Sequence, residues 1–273
     1  MTLFRRTIPL LRDRHSHPLL YAALMDAVDL SHPGETRESA VELVRMRAVN
    51  GGTKWTMATG WHSGRFALDK ADFDDLPPIA ILNVSLHGLI VNEAGRTLLL
   101  AYDELVAAHV DDQDWIERNL RRVLNVFARA GAKPDRLKAF FGRLQEMGVH
   151  HVEEMLLVGE EEIRLFDKTG LAGRTRFWAA PETYDFAMPT MRHRIHGIKL
   201  FTDGAIGVTT AAVHEKYQTA DHKGLLLYGD DDLAALIARY TAEKPMAIHA
   251  IGDAAIDQVV LAVETVGREI ASR

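Results

Sequence analysis

The sequence predicts an α/β fold in which parallel strands are covered by outer helices. Short apolar runs alternate with amphipathic helical patterns along most of the 273 residues, the order expected of a parallel sheet or barrel. Several runs are almost continuously apolar, as in strands buried on both faces. Polar residues stand late in these runs or just after them, where sites form in such folds.

Short apolar runs rich in β-branched or aromatic residues predict the strands. They cover residues 7–11, 54–61, 78–85, 149–157, 175–180, 195–202 and 245–251. Apolar residues at helical spacing predict helices over 18–30, 39–49, 112–131, 134–148, 230–244 and 252–272. The region 86–112 is less regular, and we expect it to be an excursion between strands of a single domain.

The composition excludes several classes of function. Hydrophobic residues make up 47% and charged residues 26%, as in soluble globular proteins. The chain has no cysteine, so any metal must be held by nitrogen and oxygen ligands. A net charge of −6 without a long Lys/Arg run argues against nucleic-acid binding. No apolar stretch is long enough to predict a membrane span, which leaves a cytoplasmic location as the expectation.

The stretch "RDRHSHPLL" places His15 and His17 one residue apart directly after an apolar run. Side chains at i and i+2 of a strand share a face, so the two imidazoles can bind one divalent ion. Among 13 histidines the spacing can also arise by chance. Its place between a strand and a helix counts toward a metal pair, and at this point both readings stay open.

Two further residues stand in late-strand positions. His249, in "AIHAIGDAA", is either a core histidine or a ligand, and Asp253 is expected to have a structural role at the start of the next helix. Lys199 lies in an apolar strand, where an ammonium is costly to bury. It therefore extends its ammonium to water, forms a salt bridge with Asp203 or Glu182, or is converted by carbon dioxide into a carbamate that can bridge two metals.

These strings together resemble the amidohydrolase superfamily, and within it amidohydrolase family 3, the YtcJ-like or exoenzyme-regulatory-like hydrolases. The resemblance is carried by "GIKLFTDGAIG", "GLLLY" and "AIHAIGDAA" in this order. The segments "WTMATGW" and "LHGLIVNEAG" extend it, so that it spans the chain from about residue 8 to the end. The resemblance implies a partial TIM-barrel-like metal-dependent hydrolase fold.

The resemblance also implies roles for particular residues. His15 and His17 match the strand-one metal pair, Lys199 the commonly carboxylated strand-four lysine, and His249 the strand-five ligand. His87 matches a histidine that faces the substrate. The expected reaction is hydrolysis of an amide or another C–N bond of a small molecule by a metal-activated water. Zinc is the favoured ion, one or two per chain, with iron or manganese as alternatives.

The family barrel continues beyond strand five with a histidine strand and two more strands, the last of which carries an aspartate. The 273 residues hold no such strings after His249, so we expect residues 1–273 to form one incomplete barrel without strands six to eight. An alternative is therefore an impaired or inactive homologue that needs a partner chain, and an open strand edge would favour a homo-oligomer. A third hypothesis, less favoured, is a phosphate-binding protein that uses the glycine-rich turn "DGAIG". Separately, Glu153 and Glu154 are expected to be a solvated or structural pair and not a general acid/base pair.

Overall fold

The computed structural model describes residues 9–51 and 54–271. Its strands are β1 (Leu11–Ser16), β2 (Val28–Asp29), β3 (Thr56–Trp61), β4 (Ile79–Asn83), β5 (Leu89–Val91), β6 (Val149–Leu157), β7 (Thr175–Ala179), β8 (Ile195–Phe201) and β9 (Met246–His249). Its α-helices are α1 (Pro18–Ala23), α2 (Arg37–Asn50), α3 (Glu93–Leu100), α4 (Glu104–His109), α5 (Gln113–Arg118), α6 (Leu120–Gly131), α7 (Pro134–Glu146), α8 (Glu160–Thr169), α9 (Pro181–Phe186), α10 (Pro189–Arg192), α11 (Asp230–Thr241) and α12 (Asp253–Ala271).

The main sheet has five strands in the order β1-β6-β7-β8-β9, and every neighbouring pair is parallel. Helices pack on it through an aromatic stack, in which Phe166 of α8 meets Phe141 of α7 and Phe177 of β7 edge to face. This half-barrel of parallel strands with helices confirms the predicted fold class. The parallel arrangement brings the carboxyl ends of β1, β8 and β9 to one end of the sheet.

A second sheet, in the order β2-β3-β4-β5, is inserted between β1 and β6, with β5 antiparallel to β4. Strand β4 is buried on both faces. Ile79 and Ile81 pack with the α2 side, whereas Ala80 and Leu82 join the main core, as period-two alternation requires. The predicted runs 54–61 and 78–85 are thus strands of this sheet, and the 86–112 excursion contains β5, α3 and α4.

Element boundaries differ from the predictions where local bonding intervenes. Part of the predicted strand 7–11 lies outside the described residues, and β1 extends to Ser16 and therefore includes His15. The predicted helix 18–30 ends early because Val28 pairs with Ala58 in the second sheet. The predicted helix 112–131 is divided at Asn119, whose side-chain amide donates to the Trp115 carbonyl. In the described part of the chain, no helix has the length and apolarity to cross a membrane.

Candidate functional site

His15 and His17 lie at the carboxyl end of β1. Their ring centroids are 5.6 Å apart and the rings are nearly perpendicular. His15 is exposed on the sheet edge, and its backbone N–H donates to the Asp13 carboxylate. Loss of water from the covered part of the His15 ring, together with the charge of Lys199, lowers the pKa of His15. The local geometry therefore places the two imidazoles side by side, as the sequence spacing predicted.

His17 is the more buried member of the pair. Burial, together with the neighbouring charges of His15, Lys199, His87 and His249, lowers its pKa to about 3. Its Nδ1 atom is buried without a hydrogen-bond partner and lies 4.0 Å from the Glu154 carboxylate. His17 is thus a neutral imidazole with an unused ring nitrogen, the state in which histidine binds metals.

Lys199 is buried in β8, with 3% of its surface exposed. Its Nζ lies 4.8 Å from the Phe201 ring centroid, and burial lowers its pKa to about 8. The predicted salt bridge with Asp203 or Glu182 is wrong. Glu182 pairs instead with Arg121 at 2.6 Å, whereas Asp203 accepts backbone N–H groups. Within the described ranges Lys199 has no carboxylate at ion-pair distance.

His249 ends β9, directly opposite Phe201 of β8 in the sheet register. Its Nε2–H donates to the Gly204 carbonyl at 3.0 Å, which leaves Nδ1 as the ring nitrogen for another partner. Burial is the main cause that lowers its pKa, and the charges of His87 and Lys199 contribute. A histidine ligand commonly donates its second ring N–H to a backbone carbonyl in this way.

His87 belongs to the inserted segment but meets the main sheet. Its ring stacks on that of His249, with centroids 5.3 Å apart. Its Nδ1 lies 2.8 Å from the buried carboxylate of Glu117 on α5. The sequence did not predict Glu117 as a site residue. Its spacing was a usable signal, because Leu120 follows it by three residues and Leu124 by seven, which puts Glu117 on the apolar face of a helical pattern. The structure therefore brings all five predicted site residues to one end of the main sheet.

Asp203, which the sequence suggested only as a partner for Lys199, is placed beside His249 instead. Its buried carboxylate accepts the N–H groups of Ala212, Ile251 and Gly252 and lies 3.8 Å from His249. It thereby joins the glycine-rich turn after β8 to the turn after β9. Asp253 has the expected structural role, because its carboxylate accepts the His214 and Ala254 N–H groups at the start of α12.

We expect Asp203→Ala to lower the free energy of unfolding by about 3 kcal/mol, because two buried N–H groups and one partly buried N–H group lose their acceptor. Chemical denaturation followed by circular dichroism measures this. Asp257→Ala is the matched control, since Asp257 is largely exposed and pairs only with exposed His214. Equal stabilities of the two variants would contradict the role assigned to Asp203.

Glu153 and Glu154 are both buried, so the interpretation as a solvated pair is wrong and the structural one remains. Adjacent strand residues point to opposite faces. Glu153 accepts the Trp178 Nε1–H at 2.8 Å, whereas Glu154 accepts the Leu19 and Leu156 N–H groups. Burial raises the pKa of Glu154 to about 8.

The donor set suits a divalent cation by its chemistry. His15, His17 and His249 all have lowered pKa values, and neutral imidazoles are the form that binds metal. Over residues 9–51 and 54–271, no three His, Cys, Asp or Glu side chains form a ready metal-binding group. Lys199 is not one of these four residue types, but its amine nitrogen can also bind a metal. Beside it lies a cavity of about 280 Å³, whose wall includes Glu117, Arg121 and Tyr228.

Comparisons with known proteins identify the family to which the chain belongs. A family model described as "Amidohydrolase family" matches residues 5–272. The putative amidohydrolase YtcJ of Bacillus subtilis (strain 168) is 43% identical over 70 residues, which are 24% of this chain and 13% of that protein.

Two solved structures share the fold. An uncharacterized metal-dependent hydrolase from Pyrococcus horikoshii OT3 matches with a TM-score of 0.61 and 21% identity, over 95% of this chain and 56% of that one. Its counterpart from Pyrococcus furiosus matches with a TM-score of 0.59 and 24% identity, over 95% and 58%. The chain thus spans little more than half the length of these structures and a smaller part of YtcJ.

Proposed function

The chain belongs to the amidohydrolase family, and from that premise we propose that it is a metal-dependent hydrolase of amide or other C–N bonds in small molecules. One observation carries the proposal. His15, His17, Lys199 and His249 come from three separate strands, yet they are close enough that their charges lower the pKa of His17. Such a group of perturbed side chains at the carboxyl ends of parallel strands is typical of an active site.

In this proposal His15, His17 and His249 hold the metal through ring nitrogens, and Lys199 contributes as a carbamate. Zinc is the favoured ion because imidazole ligands suit it, with iron or manganese as alternatives. A bound divalent ion would polarise the scissile carbonyl and make water a better nucleophile near neutral pH. The Gly204 carbonyl holds His249 in place, and the cavity beside Lys199, whose wall includes the His87 partner Glu117, would receive the substrate.

The test combines metal content with turnover. The protein is stripped with a chelator, dialysed against zinc, iron(II) or manganese, and analysed for bound metal by elemental mass spectrometry. N-acyl amino acids, cyclic amides and ureas are then supplied, and released amine is measured with an amine-reactive fluorophore. We expect amine release only from metal-loaded protein. A protein that binds none of the ions after dialysis would refute the proposal.

The alternative is a chain whose activity depends on a partner chain. The observation that favours it is that β1, which carries exposed His15, is one edge of the main sheet and β9 is the other, over the residues described. If a second copy completes the site, activity per chain rises with protein concentration together with the mass measured by light scattering. Constant activity per chain over a hundredfold dilution would exclude association of copies as the cause.

A further inference from the structure

Glu117 is a buried carboxylate outside the proposed set of metal ligands. Only 2% of its surface is exposed. One oxygen, Oε2, lies 2.8 Å from Nδ1 of His87. The other, Oε1, accepts the Thr210 hydroxyl at 2.6 Å and the Gln113 amide at 3.1 Å. The carboxylate therefore joins three parts of the chain: the loop that carries His87, helix α5 and the turn after β8.

The donors around Glu117 are fixed by their own hydrogen bonds. The Thr210 oxygen accepts the Ala205 N–H at 3.0 Å, so its hydroxyl hydrogen is free to point to Oε1 of Glu117. The Gln113 Nε2 group also donates to the His87 carbonyl at 2.9 Å, which sets the orientation of its amide. Since two donors occupy Oε1, Oε2 is the oxygen left for His87, and a hydrogen on Nδ1 of His87 gives that oxygen its donor.

We propose that Glu117 is a positioning residue that holds His87 in the Nδ1–H tautomer, so that its Nε2 lone pair is a hydrogen-bond acceptor for the substrate. Stacking on His249 fixes the plane of the His87 ring beside the candidate metal ligands. An acceptor there selects substrates that present a donor, such as the N–H of a secondary amide, over N-alkylated amides that lack it. The statement about substrates rests on the proposed function, whereas the statement about the tautomer does not.

The tautomer is measured directly by nitrogen-15 NMR of protein labelled at histidine, with His87→Gln used to assign the signal. We expect the Nδ1–H form in the wild-type protein. In Glu117→Gln, the amide oxygen stays with the Thr210 and Gln113 donors, and the new NH₂ group faces Nδ1. His87 must then accept at Nδ1 and change to the Nε2–H form, a response that a purely structural role would not produce.

Glu153→Gln is the matched control, since Glu153 is another buried carboxylate but binds Trp178 instead of His87. It should leave the His87 signal unchanged. A wild-type Nε2–H tautomer, or the wild-type tautomer in folded Glu117→Gln, would overturn the proposal. Because the wild-type spectrum alone can refute it, the test does not depend on the variant folding.

Kinetics separate this proposal from the proposed function. Metal content should be equal in wild type and Glu117→Gln, because Glu117 is not a ligand. For a secondary amide that is turned over, we expect KM to rise about tenfold in the variant, because the substrate loses one hydrogen bond to His87. An N-methylated analogue should be unaffected. Equal effects on both amides would overturn the selection of substrate, whereas absence of turnover in every protein contradicts only the proposed function.

Discussion

Replacement of both strand-one histidines, His15→Ala with His17→Ala, is expected to abolish stoichiometric metal binding and hydrolysis together. The two imidazoles supply two of the three histidine ligands in the proposed set, and removing them leaves only His249 and Lys199. Loss of even an indirect partner of a ligand costs about 10- to 100-fold in metal affinity, so loss of two ligands should cost at least about 100-fold. Elemental mass spectrometry after zinc dialysis measures the effect.

Controls distinguish ligand loss from unfolding. His193→Ala removes a histidine that is exposed and far along the chain from β1, and it should keep full metal content. His249→Ala should lower the metal content as well, since it removes the ligand on β9. Wild-type zinc content in the folded double variant would exclude His15 and His17 as ligands. Circular dichroism of each variant establishes that it is folded.

The sequence predicted the parallel main sheet well because its signals are local and redundant. The run 149–157 keeps apolar residues at both ends and at Val152 despite its histidine and glutamate pairs, and β6 has the same bounds. His15, His17, Lys199 and His249 stand late in a strand or just after one, and parallel strands bring such positions together whatever the loops do. The resemblance to amidohydrolase family 3 then predicts that they are the metal ligands. The chemistry at the sheet end is therefore a consequence of strand order, which short patterns reveal.

Features that depend on distant contacts could not be predicted in this way. The run 54–61 looks like any other buried strand, and only its pairing with Val28 and Ile79 puts it in a separate sheet. The division of the helix at Asn119 depends on one side-chain hydrogen bond. The contact between Glu117 and His87 spans 30 residues and is visible only after the inserted segment has folded back on the main sheet.

Lys199 forms no salt bridge with any residue that the structure describes, and this bears directly on the choice between a plain lysine and a carbamate. A buried ammonium without a carboxylate partner is unfavourable, which is why burial lowers its pKa to about 8. The neutral amine is also the form that reacts with carbon dioxide. The nitrogen lone pair forms a bond to the carbon, one N–H proton leaves, and the product is an anionic carbamate with two oxygen donors. A divalent cation held by the nearby imidazoles would attract the anionic carbamate, whereas it would repel an ammonium at the same position.

Lys199→Met is therefore expected to lower metal content and to reduce hydrolysis by about 100-fold or more, since the metal's contribution is worth several kcal/mol. In wild-type protein loaded with zinc under carbon-13 bicarbonate, a carbamate carbon resonance should appear, and it should be absent from Lys199→Met. Lys244→Met is the matched control, because the Lys244 amine donates to the Ile195 carbonyl at the other end of β8. A carbamate resonance that persists in Lys199→Met, or that is missing from metal-loaded wild type, would show that Lys199 acts as an unmodified amine.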